Sequence, residues 1–510
     1  MCSGVYKAFL VKKQEENQYM NITTKSPASG KVDTSNMKHT PILIALLLGT
    51  MVALLNETLL GNALTVLMKE FDVTASTIQW LSTAYMLVVG VLVPITALLQ
   101  QWLTTRQMFL IAMVTFLVGT LIAGFAPTFS VLLVGRIVQA VATGLISPLL
   151  MNTILIICPP EKRGATMGLI ALVMMSAPAI GPTLSGVIVD SLNWRWLFYI
   201  VVPIVIISIM IGMKYIQNVS ELTRPKVDYP SILLSTLGFG GIVYSFSASG
   251  DLGWPDPKVY GALIVGLISL CIFTVRQLKI ENPILELRAF KVPMFTLSVG
   301  LIVIVMMSLF STMTLLPMFL QTVLLVTAFK SGLIMLPGSI ISAIMGPIAG
   351  KLFDKFSPKV VIVPGIVLVG IAMFLFKGIT PETSMLQIII MHSVLMVGLM
   401  FVMTAQTYGL NQLTPDLYPH GTALFNTLQQ VAGAIGTAIF ISKMSSGTTK
   451  YMESSANPMD PIEKLNGLTS GFQGAFTLGL IFIVVAFIAS LFLKEEKKGV
   501  EAAGVLQNEN

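Results

Sequence analysis

The chain is a succession of apolar stretches about 20 residues long. That is the length a helix needs, at 1.5 Å rise per residue, to cross roughly 30 Å of hydrocarbon. Inside lipid a backbone must satisfy its own hydrogen bonds, which leaves helices or closed barrels. A barrel would show segments of about 10 residues alternating in polarity, and the sequence does not read that way. Of 510 residues 55% are hydrophobic and only 11% charged, whereas a soluble protein carries about a quarter of its residues as charges. Collagen-like, disordered and disulfide-rich classes fall with the same balance. The fold class this predicts is an all-α polytopic membrane protein.

Apolar helices are predicted at 41–60, 78–99, 107–126, 129–157, 165–189, 196–215, 229–249, 259–276, 294–316, 331–353, 359–376, 386–406, 421–442 and 471–493, fourteen in all. The first has room to continue as far as Met68. An even count puts both termini on one side. With the odd-numbered loops outside, eight basic residues fall there: Lys69, Arg195, Lys258, Lys330, Lys377, Lys443, Lys450 and Lys464. The other side takes 22. The positive-inside rule therefore predicts a multi-pass protein of the cell membrane with both termini cytoplasmic. The net charge of +7 is read as this topology signal, and no nucleic-acid partner is expected.

The first 38 or so residues are polar and lack the order of a cleavable signal peptide. They are predicted to be a cytoplasmic tail, or in part the product of an upstream start, since Met20 and Met37 are alternative initiators. Cys2, Cys158 and Cys271 show no CxxC spacing, so neither a disulfide framework nor a metal site is expected. Most connections are short, and no G-x-x-x-x-G-K-[ST] sequence occurs, so ATP is not the direct energy source and no cofactor is called for. The longest external loop, 443–470, contains Ser, Gly, Asn and Pro and reads as a flexible hairpin.

Among the 24 acidic residues, Glu57 is the one well inside a span. Counted from Pro41 it lies about 24 Å along its helix, near or beyond the bilayer middle. A charge there is costly, so the carboxyl reads as a proton carrier or as counter-ion to a cationic substrate. The alternative is a neutral Glu hydrogen-bonded to a neighbouring helix. Arg136 is the basic residue deep in a span, and burying it unpaired would cost several kcal/mol. It is expected to find a carboxylate, an amide or backbone carbonyls, either tuning Glu57 or serving a structural role.

Helix five holds Gly168, Pro178, Gly181, Pro182 and Gly186. Proline removes a backbone donor and glycine allows close approach, which suits a kinked gate between halves. Asn56, Asn62, Gln139, Asn152, Gln321, Gln406, Asn426, Gln429 and Gln430 bring amides into the bilayer region. Asn56, Asn62, Gln139, Asn152 and Gln406 are the candidates for substrate binding, and interhelical hydrogen bonding is the other use for such groups. His392 reads as a packing residue. The 30 Met offer an adaptable surface, though most serve packing.

These motifs resemble the 14-span drug:proton antiporter branch of the major facilitator superfamily, the EmrB/QacA type. Arg136-Ile137-Val138-Gln139, with Gly144 beyond, resembles the R-x-x-Q-G motif of helix four, with Ala140 where Gly is usual. Gly181-Pro182-Thr183-Leu184-Ser185-Gly186 resembles the helix-five motif GPxxGG, with Ser185 replacing one Gly. Asn193-Trp194-Arg195-Trp196-Leu197-Phe198-Tyr199-Ile200 through Pro203 resembles the signature at the start of helix six. The similarity runs from about 41 to 493 and includes Leu336-Pro337-Gly338. Gly350-Lys351-Leu352-Phe353-Asp354-Lys355 is similar to a cytoplasmic loop whose acid latches helices in one state, a role the resemblance implies for Asp354. Gln101 stands where the N-terminal counterpart would carry Asp. Where the group shows L-D-x-T, this chain reads Leu55-Asn56-Glu57-Thr58. That is similar to the lincomycin-resistance-type exporters, and it implies the proton role for Glu57.

The resemblance implies two six-helix halves plus two added helices: a tail at 1–40, one half at 41–215, linker helices within 216–293, the second half at 294–493 and a tail at 494–510. It implies proton-coupled export of amphipathic drugs by a monomer through alternating access, with a site near the midplane. A dedicated exporter of one endogenous metabolite or osmolyte is the alternative. A membrane enzyme or sensor would need a catalytic constellation such as H-E-x-x-H or a soluble output domain, and the sequence shows neither.

Overall fold

The computed structural model describes residues 39–157, 177, 180–219, 228–280, 283–414 and 417–494. Thirteen helices among them are long and apolar enough to cross a membrane, and they fall on every predicted span but the fifth. Of that span, 165–176 and 178–179 lie outside the described residues, Gly168 and Pro178 included, as do Cys2, Cys158 and most of both tails. No strand is present among the described residues.

The first half contains α1 (His39–Leu59), α2 (Leu64–Phe71), α3 (Ala75–Ile78), α4 (Trp80–Trp102), α5 (Thr105–Gly124), α6 (Phe129–Ile157), α7 (180–191), α8 (Trp196–Tyr199) and α9 (Val202–Tyr215). Two helices follow, α10 (Tyr229–Leu252) and α11 (Pro257–Lys279). The second half contains α12 (Pro293–Thr322), α13 (Ala328–Lys355), α14 (Pro358–Lys377), α15 (Met385–Asn411), α16 (Tyr418–Ser454) and α17 (Pro461–Ser490). Local signals set the starts: Thr104 with Gln107 and Ser384 with Gln387 form capping boxes on α5 and α15.

The apolar faces gather into two cores. One runs from Ile42 to Val219 with Ala328 added, the other from Phe273 to Leu493. In the first, α6 packs on α4 and α5, and α9 packs on α1 and α5. In the second, α12 packs on α16, α13 on α15, and α17 on α14 and α16. The pair α10 and α11 pack on each other, and α10 docks against both α4 and α16, along the seam between the halves. Lipid supplies no hydrophobic drive for helices to associate, so close backbone approach does much of the holding. A Cβ at Gly119 would sit 2.7 Å from the Gln139 nitrogen, and one at Gly135 2.7 Å from the Ala123 nitrogen, so α5 and α6 meet without side chains between them.

Two features refine the sequence reading. The first span does continue: a 3-10 turn at Gly61–Ala63 joins α1 to α2, and the apolar run covers Thr40–Phe71. The flexible hairpin expected at 443–470 is instead helical, because α16 runs on to Ser454 and α17 begins at Pro461. The small residues there are packing surfaces. A Cβ at Gly471 would meet the Met444 oxygen at 2.5 Å, and one at Gly467 the Met452 sulfur at 2.8 Å. Ser455 Oγ donates to Glu463 Oε2 at 2.8 Å and closes the short turn between the helices.

Candidate functional site

Glu57 sits near the middle of the Thr40–Phe71 run. It is half-buried and lines a cavity of about 40 Å³ between the halves. Thr58, Gly61 and Asn62 continue that wall. Ser82 and Met86 come from α4, Pro182 from α7, and Phe310, Met313, Thr314 and Pro317 from α12. A space of this size holds a few waters, whereas drug sites occupy hundreds of Å³, so in this conformation the cavity is shut down. The Gln430 side chain of α16 lies beside the Glu57 carboxyl. Glu57 is therefore touched by the first half it belongs to and by two helices of the second.

Arg136 of α6 is fully buried and, among the described residues, makes no salt bridge to a carboxylate. Its Nε donates to the Leu81 oxygen at 3.3 Å. Its Nη1 donates to the Asn56 oxygen at 3.3 Å, to Asn56 Oδ1, and to Gln139 Oε1 at 3.1 Å. The guanidinium lies 4.1 Å over the Tyr85 ring. Tyr85 in turn lies 2.6 Å from Thr143 Oγ1, and Gln139 Nε2 donates to Thr120 Oγ1 at 2.8 Å. Amides, carbonyls and a ring thus hold the cation beside the residue preceding Glu57. Among the described residues, Arg136 Nη2 has no hydrogen-bond partner.

The end of the bundle reached by α1 is closed by contacts between halves. Asn62 Nδ2 donates to the Pro182 oxygen at 2.6 Å and the Ala328 oxygen at 3.5 Å. Gln321 Nε2 donates to the Asn62 oxygen at 3.0 Å, and Ser331 Oγ to Asn62 Oδ1 at 3.3 Å. Thr183 Oγ1 donates to the Gly332 oxygen at 3.0 Å. Asp190 Oδ2 accepts from the Phe329 nitrogen at 2.9 Å, in the first turn of α13 where an anion is favoured. Glycine makes the crossing possible: a Cβ on Gly186 would lie 2.4 Å from the Ala328 oxygen, and one on Gly332 2.4 Å from the Pro182 oxygen. Gly181 lies against Thr58, where a Cβ would come within 2.2 Å of Oγ1.

Glu57, Asn56, Arg136 and Gln139 are thus one cluster, with Asn56 and Gln139 facing Arg136 and not the cavity. Asn62, Gly181, Pro182 and Gly186 meet at the closed end. Asn152 is exposed and donates to Gln100 Oε1 at 2.7 Å, while Gln406 accepts from Gln429 at 2.9 Å. Asp354 is exposed near the end of α13. His392 is buried against Gly338. Sequence reasoning did not single out Tyr85, Thr58, Thr183, Asp190 or Gly332. Thr58 and Thr183 stood inside quoted motifs, and Tyr85 left a signal of its own as an aromatic hydroxyl deep in an apolar span.

The Major Facilitator Superfamily profile matches residues 46–437. The chain is 50% identical over 463 residues to the lincomycin resistance protein LmrB of Bacillus subtilis strain 168, covering 90% of this chain and 97% of that one. The same named protein of Listeria monocytogenes serovar 1/2a is 50% identical over 458 residues, with 90% and 97% covered. The multidrug export protein EmrB of Escherichia coli K12 is 26% identical over 430 residues, 82% of this chain and 83% of that one. Among solved structures, a POT family transporter in complex with 5-aminolevulinic acid matches with a TM-score of 0.65 at 11% identity, covering 91% of this chain and 98% of the other. That likeness is one of fold.

Proposed function

The chain belongs to the Major Facilitator Superfamily, and from that premise we propose that it is a multidrug efflux transporter exchanging amphipathic compounds for protons by alternating access. Relatives named for lincomycin resistance and multidrug export support drugs as the cargo. The observation that carries proton coupling is the placement of Glu57: an intramembrane carboxyl facing the cavity between the halves, held next to Arg136 but not paired with it. A carboxylate committed to a salt bridge would have no charge to trade. A carboxylate whose neighbour is satisfied by Asn56 and Gln139 can take a proton or a cationic drug in turn.

In this reading the two six-helix halves, 41–215 and 294–493, rock about the 216–293 linker helices, and both termini lie in the cytoplasm. The end closed by Asn62 and Asp190 faces outside the cell membrane. The shut cavity is then the state from which a drug has left or has yet to enter. Protonation of Glu57 from outside releases the drug, and deprotonation towards the cytoplasm restores the site. The halves work within one monomer, with Asp354 acting as a latch at the cytoplasmic end.

The test is substrate-driven proton release from inverted membrane vesicles under an imposed pH gradient, comparing the native chain with Glu57→Gln. Ethidium should dissipate the gradient with the native protein and not with the variant. Equal dissipation by both would make Glu57 structural and remove the basis for coupling at this residue.

A further inference from the structure

A second polar feature runs from the closed end towards Glu57, apart from the small cavity between the halves. On one face of α3 and α4, positions 76, 79, 83, 86 and 90 recur every three or four residues, so they form a single stripe. That stripe faces α10 and α16. Ser76 Oγ lies 3.4 Å from Ser445 Oγ of α16, and Gln79 Nε2 donates to Ser247 Oγ of α10 at 2.8 Å. Deeper in, Met86 packs with Val243 of α10 and Ala434 of α16 in one apolar cluster.

Between the Gln79 level and that apolar collar, the register places Thr83 of α4 and Thr437 of α16. Both are fully buried, and neither hydroxyl has a hydrogen-bond partner among the described residues. Gln79 Oε1, one level out, is buried and unpartnered as well. Single buried orphans of this kind are uncommon. Three at adjacent levels, from the start of α4 and from α16, supply the two to four polar partners that an internal water needs.

We propose that this three-helix seam admits water and forms the route by which protons reach Glu57 from the closed end, separate from the path of the drug. The proposal rests on the reading of Glu57 as the coupling residue and of the closed end as the outside. Along the seam each hydroxyl or water oxygen accepts one proton and releases another, so the chain is left unchanged. The proton ends on the Glu57 carboxyl, which becomes neutral. The groups facing Glu57 at the inner end are Gln430, Arg136 and Tyr85. The collar of Met86, Val243 and Ala434 breaks the seam in the present conformation. Its three members come from the first half, the linker pair and the second half, so rocking of the halves parts them. Methionine is the flexible member of the three. The route thereby opens in one state only, as coupling requires.

The experiment uses the purified full chain in liposomes and two readouts: ethidium-driven proton flux, and ethidium counterflow without a pH gradient. The double variant Thr83→Val, Thr437→Val keeps side-chain shape and removes two hydroxyls. Its proton flux should fall about tenfold or more, while counterflow stays within about twofold of native. The double variant Thr83→Ser, Thr437→Ser should retain both. Undiminished proton flux in the valine pair, or equal loss in the serine and valine pairs, would overturn the route. Thr437→Val alone replaces the valine pair if that variant does not reach the membrane, with the same loss expected and undiminished flux again overturning it. Glu57→Gln is measured alongside. If it loses proton flux and the valine pair does not, the seam alone is wrong, and if it keeps proton flux both readings fall.

Discussion

Asn56 gives the buried Arg136 guanidinium two of its acceptors. Truncation by Asn56→Ala removes the side-chain one and leaves a desolvated charge short of a partner, a loss of about 1–3 kcal/mol. A lower Tm in detergent is the expected result, with the native helical content kept. Arg136→Lys is not a mild change either, because a compact ammonium cannot reach Leu81, Asn56 and Gln139 from one planar fork. Ethidium efflux from cells should drop about tenfold or more at equal membrane expression. Undiminished efflux would show that the hydrogen-bond fork has no part in transport. Glu57 and Arg136 were legible in the sequence because an ionised group inside an apolar span is rare enough to stand out. Their surroundings were not. Tyr85 comes from α4 and Gln430 from α16, and neither has spacing relative to Glu57 that could announce contact.

At the level of helices, the crossing of α7 and α13 depends on two missing side chains. Gly186→Ala and Gly332→Ala each place a Cβ within 2.4 Å of a backbone oxygen on the partner helix, so either should disfavour the closed end. The measurement is alkylation of a cysteine introduced at Ser331, whose labelling rate should rise in both variants. The linker pair has its own anchor. Arg276 reaches Asp228 through Nη2 at 2.8 Å and Nε at 3.2 Å, tying the end of α11 to the start of α10. Burial alone would raise the Asp228 carboxyl, but the hydrogen bonds from Arg276 and Ser231 and the Arg276 charge hold it below its ordinary 3.8. A group depressed on folding adds stability above its unfolded pKa and loses it as pH falls through the folded one. The Tm difference between native and Asp228→Asn proteins should therefore be constant above about pH 4 and shrink on further acidification. A difference that grew with acid would reverse the sign and remove the anchor. The Gly-Pro signature of the helix-five region was readable in advance. Its partner was not, since Thr183 and Gly332 are 149 residues apart in the chain.

For the molecule as a whole, alternation between two openings requires the closed end to part in every cycle. Cysteines at Thr183 and Gly332 would stand at a contact where a Cβ on Gly332 comes within 2.7 Å of the Thr183 Cα. In a background with the three native cysteines changed to serine, oxidation should abolish efflux and reduction restore it. Efflux through the oxidised protein would mean that this end need not open. The spans were readable from apolar length alone, because lipid permits so few backbone solutions, while the division into two halves was implied only by the motif resemblance. The hairpin at 443–470 was misjudged for the opposite reason: its glycines and serines are the residues of both loops and close helix contacts, and sequence does not say which.

That hairpin has a further consequence. At 1.5 Å per residue α16 is roughly 55 Å long, well beyond the hydrocarbon it crosses. Its excess stands with α17 as a rigid stalk clear of the lipid. No internal proline interrupts the rod between that stalk and Gln430, about 36 Å away. Gln430, beside the Glu57 carboxyl, and the tip at Ser454 are therefore two points on one unbroken rod. An antibody fragment clasping the tip would have mechanical purchase on the residue proposed to couple transport to protons without entering the bilayer.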